Sequence, residues 1–333
     1  MPSSLFDAVV PREDVLEGTL AESIFAASLE EVVNGKAPAV YADPAVFFAG
    51  THPSAGLRAL LDESLGRIGG GRPDAASVIR LETNLGGGKT HNLIALYHAA
   101  RGHLPADRID EFMTPTNYPS EPIERPAVFV GTSAGATSFP EVDGVEAQTL
   151  WGFLALQLGG KDTYSYVREA DASLTAPGSS AIKDVLGGES RLILIDELAR
   201  YLSTASGKPV GSTTLARQTV SFLMALMEAV DAHPRASLVI TTTETTEAFG
   251  DSTQEALDAI AEARQLMARR EHVLRPSEEA DLPKILARRL FESVDRSGAT
   301  ELGQAYAQAA LDAEARGVDV PETMEDPRWA GEV

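Results

Sequence analysis

Gly86-Gly87-Gly88-Lys89-Thr90 is the stretch of this chain best suited to hold a polyphosphate. Glycines let backbone N–H groups turn inward, Lys89 supplies a point charge for β- and γ-phosphates, and Thr90 offers a hydroxyl to Mg2+. The full pattern G-x-x-x-x-G-K-[ST] asks for glycine where Thr83 stands, so the match is to its second half. Taken alone, the segment also reads as an ordinary flexible turn.

A second constellation lies at 191–197, Arg191-Leu192-Ile193-Leu194-Ile195-Asp196-Glu197. The consecutive aliphatic residues predict a strand buried on both faces, as central parallel strands are. Two carboxylates follow at its C-terminal end, where open α/β sheets bind ligands. Such a pair near a core edge carries a desolvation cost unless a cation or water network uses it. Asp196 is therefore expected in the Mg2+ shell and Glu197 beside an attacking water; for Asp196 the alternative is to cap a helix starting at Leu198. A further strand, 237–243, ends in hydroxyls, from which Thr242 or Thr243 could reach the γ-phosphate or the lytic water. Threonine is also simply a good strand residue.

The elements that must position these groups are legible as alternating strands and helices. Residues 78–82 predict a short buried strand entering the glycine loop and 89–101 a helix leaving it. Residues 127–131 read as the next strand, 146–158 and 220–230 as helices, and 271–276 as a fifth, short strand. Before the loop, the apolar spacing of 13–33 predicts one amphipathic helix and that of 55–68 a second. The polar stretch 203–214 reads as a loop that is mobile until something binds it. Residues 251–270 predict a helix ending in Arg269-Arg270, where cations suit the helix dipole. A helix from Ser277 should turn Leu282, Ile285, Leu286 and Leu290 inward, and the alanine-rich acidic stretch beyond 297 ends in Glu322-Thr323-Met324-Glu325-Asp326-Pro327, whose composition suggests a poorly packed tail. The implied organisation is a helical segment packing on the core (1–70), an α/β core (71–275) and a helical C-terminal part (276–333).

Composition sets the outer limits. The 333 residues are 44% hydrophobic and 23% charged, ordinary for a soluble globular protein. With no cysteine, thiolate chemistry and disulfides are excluded. No apolar run approaches eighteen residues and the N-terminus does not resemble a signal peptide, so a cytoplasmic protein without a membrane partner is the expectation. A net charge of −21 opposes direct, non-specific binding to phosphate backbones by this chain alone.

The order of strand, phosphate loop, helix, Asp-Glu strand and hydroxyl-ended strand resembles the AAA+ branch of the P-loop ATPases, with Walker A and Walker B type motifs. That resemblance implies an α/β fold with a parallel sheet flanked by helices and only the start of a lid. It also implies an Asp-Glu strand beside the phosphate-loop strand, and an arginine, Arg269 or Arg270, acting in trans on a neighbouring subunit's nucleotide. More narrowly, Phe47-Phe48, Thr51-His52-Pro53, Arg80-Leu81-Glu82-Thr83, Gly86 to His91, Leu96-Tyr97-His98 and Ile195 to Leu198 are similar to the prokaryotic ATPases grouped as domain of unknown function family 499. Those proteins often lie in phage-defence gene clusters, in the style of the BREX and phage-growth-limitation ATPases, and are usually longer, which implies a fragment or split subunit here. ATP and Mg2+ are the implied cofactors. Lys89 and residues 86–90 would cradle the phosphates, Thr90 and Asp196 hold Mg2+, and Glu197 activate water. Thr51, His52 and Pro53 would lie near the adenine, with His52 equally readable as a turn residue, and His91 would face the nucleotide or a neighbouring strand. The activity implied is ATP hydrolysis that remodels a DNA-associated complex, within a homo-oligomer or larger defence complex that reaches DNA through partners. The alternative is a nucleotide-dependent assembly switch with little or no hydrolysis.

Overall fold

Leu192, Ile193, Leu194 and Ile195 are fully buried, and the strand they build lies inside a five-stranded parallel sheet. The computed structural model describes residues 8–17, 27–83, 88–243, 258–259, 261–263, 265 and 272–317. They fall into two units, one of 27–45 with 53–277 and the other of 1–26 with 46–52 and 278–333. The first holds the sheet, with strands β1 (Val78–Thr83), β2 (Ala127–Val130), β3 (Arg191–Asp196), β4 (Ala236–Thr243) and β5 (His272–Leu274).

The spatial order is β2-β3-β4-β1-β5, and each neighbouring pair is parallel. This corrects the expectation that the Asp-Glu strand lies beside the phosphate-loop strand: β4 stands between them. Its Leu238, Val239 and Ile240 are fully buried, and an eight-residue strand apolar on both faces takes the centre, pairing Ile195 with Ile240 on one side and Val78 with Leu238 on the other.

Helices cover the sheet. They include α1 (Ala55–Ile68), α2 (Lys89–Ala100), α3 (Leu150–Tyr164), α4 (Leu198–Ser206) and α5 (Leu215–Ala232). Ser54 opens α1 by accepting the Leu57 N–H at 3.1 Å, and Leu57, Leu60, Leu61, Leu65 and Ile68 form its buried face. At the far end of α1, the Arg67 guanidinium donates to the carbonyls of Ala236, Pro73, Ala75, Asp231 and His233. It thereby ties the helix to the segment entering β1 and to the start of β4. Helix α3 begins four residues later than the spacing suggests, because Thr149 is extended and caps the Gly152 N–H. Asp171, buried nearby, accepts from the Thr149 hydroxyl at 2.5 Å, the Tyr164 hydroxyl at 2.8 Å and the Gln148 N–H at 3.1 Å. In α5, Met227 is core and Met224 is 57% exposed.

Two expectations are corrected. Residues 13–33 are not one helix: Glu13–Leu16 and Leu29–Val33 are separate helices in different units. Ser28 is extended and caps the second through the Glu31 N–H at 3.2 Å. Residues 203–214 are not a loop, since α4 runs to Ser206 and Pro209–Val210 pairs with Thr213–Thr214 as a hairpin turning at Gly211. Beyond 297 the described residues carry a helix, Arg296–Glu314, capped by Asp295 on the Ser297 N–H, with Ala307 and Ala310 buried, and the tail expected at 322–327 lies outside the described residues. Alanine is the strongest helix former, which outweighs the acidic composition.

The second unit pairs Val9–Pro11 antiparallel with Phe291–Val294. Arg12 donates from its backbone N–H to the Leu290 carbonyl and from its guanidinium to the Arg288 and Ala49 carbonyls. These bonds hold Leu282–Leu290 by its last turn, and none of its residues is buried. Leu282 and Leu286, expected inward, are 57% and 48% exposed. Among the described residues no helix is long and apolar enough to cross a membrane.

Candidate functional site

The C-terminal ends of β1, β3 and β4 converge on the start of α2. Gly88 caps that helix in the left-handed region, at φ 78°, a conformation glycine takes without penalty, and no side chain caps the turn. The first N–H groups of a helix have no intrahelical partners and carry its positive dipole end, a setting for an anion. Lys89 and Thr90 begin the helix. Gly86 and Gly87 lie outside the described residues.

Thr90 reaches across to β3, its hydroxyl donating to Asp196 Oδ2 at 2.9 Å. The other carboxylate oxygen, Oδ1, accepts from the Thr241 hydroxyl at 2.5 Å, and that same hydroxyl accepts the Glu197 N–H at 3.0 Å. Asp196 is 3% exposed. Burial pushes its carboxyl above the usual range, while the Thr241 and Thr90 hydroxyls, the Glu197 N–H and the Lys89 charge pull the other way. Asp196 does not cap α4: the capping residue is Glu197, and no side chain bonds the first turn.

Glu197 has φ 52° and ψ 38°, the left-handed region in which a non-glycine residue is held under strain. Its carbonyl accepts the Arg200 N–H at 3.0 Å and its side chain faces solvent. Gly131, just past β2, donates its N–H to the Asp196 carbonyl at 2.9 Å. A Cβ on Gly131 would stand 2.1 Å from the Glu197 carbonyl oxygen, so only glycine fits there.

The structure thus brings together Lys89, Thr90, Asp196 and Glu197 from distant parts of the chain. Thr242 and Thr243 are placed by backbone register opposite Glu82 and Thr83, at the end of β1 that enters the glycine loop; their side chains lie outside the described residues. Arg269 and Arg270 do so entirely. His91 packs edge-on against Tyr41, ring centroids 6.2 Å apart. Thr51 and His52 belong to the second unit. There the Thr51 hydroxyl donates to the Phe47 carbonyl at 2.7 Å, and His52 Nε2 lies 3.8 Å from Asp281 Oδ1. Burial lowers the His52 pKa against the opposing pull of Asp281. Pro53 leads into α1, where the Ser54 hydroxyl donates to the Pro276 carbonyl.

Sequence reasoning missed Thr241 and Gly131. A signal for Thr241 was present: it stands one position past Ile240, as Asp196 stands one past Ile195, at matching ends of two aliphatic strands.

No curated protein matches the chain in sequence. Residues 6–116 and 128–276 match the DUF499 N-terminal domain, a span that includes the glycine stretch, the five strands of the sheet apart from Ala127, and the Asp196-Glu197 pair. The chain is a member of the DUF499 family.

Proposed function

We propose that this protein binds ATP with Mg2+ and hydrolyses it, as an AAA+ type ATPase. The observation that carries the reading is the hydrogen-bonded line from Thr90 through Asp196 and Thr241 to the Glu197 N–H, set at the C-terminal edge of a parallel sheet beside the start of α2. A helix terminus with a glycine cap and a lysine in its first turn suits a polyphosphate.

The donor set fits Mg2+. That ion takes oxygen ligands, is satisfied by one or two protein groups, and completes its shell with phosphate and water. Thr90 and Asp196 offer a hydroxyl and a carboxylate already 2.9 Å apart, and a carboxylate this buried is stabilised by a cation. Bound there, Mg2+ would neutralise charge on the phosphates. Lys89 adds a second positive charge, and the backbone at Gly88 leaves room for the phosphates to approach. Glu197, exposed and one residue past the metal ligand, orients or deprotonates the attacking water. Thr242 or Thr243, at the end of β4, senses the γ-phosphate, and Arg269 or Arg270 acts in trans in an oligomer.

The resemblance to ATPases of phage-defence gene clusters supports a role in remodelling a DNA-associated complex in the cytoplasm. The charge of −21 supports contact with DNA through partners rather than through this chain alone. Steady-state phosphate release from wild type and Glu197→Gln, with Mg2+ and with a chelator, tests the reading. Wild type should turn over only with Mg2+ and Glu197→Gln should lose roughly 10²-fold or more. Equal low rates would leave nucleotide binding without hydrolysis, the property of an assembly switch.

A further inference from the structure

The backbone around Glu197 is fixed on every side, while its carboxylate alone faces solvent. The preceding carbonyl, of Asp196, accepts the Gly131 N–H at 2.9 Å. The Glu197 N–H goes to the Thr241 hydroxyl at 3.0 Å, and its carbonyl accepts from Arg200 at 3.0 Å while packing on the space where Gly131 lacks a Cβ. A left-handed non-glycine residue persists only where its surroundings over-determine it, and these contacts do so. Two of the contributors come from other strands. Gly131 follows β2, and Thr241 is a 2% exposed residue of β4.

We propose that Thr241 and Gly131 are positioning residues: together they lock the left-handed backbone of Glu197 and so aim its carboxylate at the lytic water. Thr241 does a second thing with the same hydroxyl, because it donates to Asp196 Oδ1. One side chain therefore links the residue that faces the metal to the residue that faces the water, and the direction of the Glu197 Cα–Cβ bond is set relative to Asp196. The inference rests on the reading of Glu197 as the group that activates water. General-base catalysis depends on ångström-scale placement, and a misplacement of about 1 Å costs on the order of 10²-fold in rate.

Thr241→Val keeps the shape and removes the hydroxyl, leaving the Glu197 N–H without its acceptor. In the full-length protein, kcat should fall roughly 10²-fold with KM for ATP within about threefold, and Thr241→Ser should restore kcat. Gly131→Ala is the second variant, since it retains the Thr241 hydroxyl and presses on the Glu197 carbonyl from the other side; the same fall in kcat is expected. In the nucleotide-free protein, hydrogen exchange of the Glu197 amide should quicken in Thr241→Val and not in Thr241→Ser. Wild-type turnover with kcat retained in both Thr241→Val and Gly131→Ala overturns the positioning role alone, as does unchanged exchange of the Glu197 amide in Thr241→Val. A wild type without Mg2+-dependent turnover overturns the hydrolytic reading itself and leaves the clamp nothing to aim.

Discussion

Arg67 offers the strongest test of how the core is held. The residue is 6% exposed, and its guanidinium donates to five carbonyls, three of them at 2.8 to 2.9 Å, on Ala236, His233 and Ala75. The contacts to Pro73 and Asp231, at 3.2 and 3.3 Å, are weaker. Arg67→Met keeps the apolar stem and deletes the head. A hydrogen bond to a charged group contributes about 1.5–3 kcal/mol, and a carbonyl left dry costs about 1–3 kcal/mol. The guanidinium is itself desolvated, which lowers its pKa, and removing it returns part of that cost. With three strong bonds lost and part of the desolvation recovered, the net destabilisation should be about 3–5 kcal/mol, a large share of the roughly 5–15 kcal/mol that holds a folded protein. Arg67→Lys should recover less than half, because one ammonium cannot span carbonyls on three segments. Urea unfolding followed by the fluorescence of Trp151, buried in the same unit, should show a midpoint lowered by roughly 1 M for Arg67→Met. The Arg67 contacts lie at the entry ends of β1 and β4, opposite the ends where Thr241 and, on neighbouring β3, Thr90's partner Asp196 stand, so KM for ATP should hold at temperatures where the variant is folded. A midpoint within about 0.2 M of wild type would refute the view that this side chain ties the three segments together.

Other consequences are open to the same kinds of measurement. Burial lowers the pKa of His98, whose Nε2 lies 2.8 Å from the Tyr41 carbonyl, and of His233. As pH falls below about 6.5, the unfolded chain takes up protons that the folded chain refuses, so stability is full above that pH and is lost below it; His98→Gln should flatten the decline between about pH 7 and pH 5, and an unchanged slope would contradict this. Burial and then Asp171 push the Tyr164 phenol up to about 12, so an alkaline spectrophotometric titration should show a late tyrosine that Tyr164→Phe removes. That variant should cost about 1 kcal/mol, because Asp171 keeps its bonds to Thr149 and Gln148. Lys89→Ala should abolish nucleotide binding, and retained tight binding of a fluorescent ATP analogue would move the site elsewhere. If Arg269→Ala and Arg270→Ala each leave turnover intact in an assembled oligomer, the proposal of a trans-acting arginine at these positions fails.

What the chain shows in sequence is residue type, and what it hides is register. The strand at 191–196 is legible because a parallel strand buried on both faces is continuously apolar along 192–195, and the metal and water chemistry proposed for its end calls for carboxylates whatever surrounds them. Local signals were present even where the periodicity pointed the wrong way. Ser28-x-x-Glu31 is a helix-start signature embedded in the apolar spacing of 13–33, and Gly211-Ser212 between Val210 and Thr213 is a two-residue hairpin turn within a polar stretch. The place of β4 between β1 and β3 had no local signal, because spatial neighbours are fixed by pairings between segments about 45 to 160 residues apart. Thr241, Thr242 and Thr243 are alike in residue type, and only the pairing of β3 with β4 decides which hydroxyl meets Asp196. Successive strand residues point to opposite faces. A slip of one position in one direction would bring Ile240 to the place of Thr241 and leave Asp196 without its hydroxyl. A slip in the other would bring Thr242 there only by exchanging the faces on which Leu238, Val239 and Ile240 pack. On the proposed reading the residue types at the site answer to phosphate chemistry, whereas the choice of Thr241 is dictated by the packing of Leu238, Val239 and Ile240 that sets the register, and a mutation in that buried run should reach Glu197 through Thr241 without touching the site.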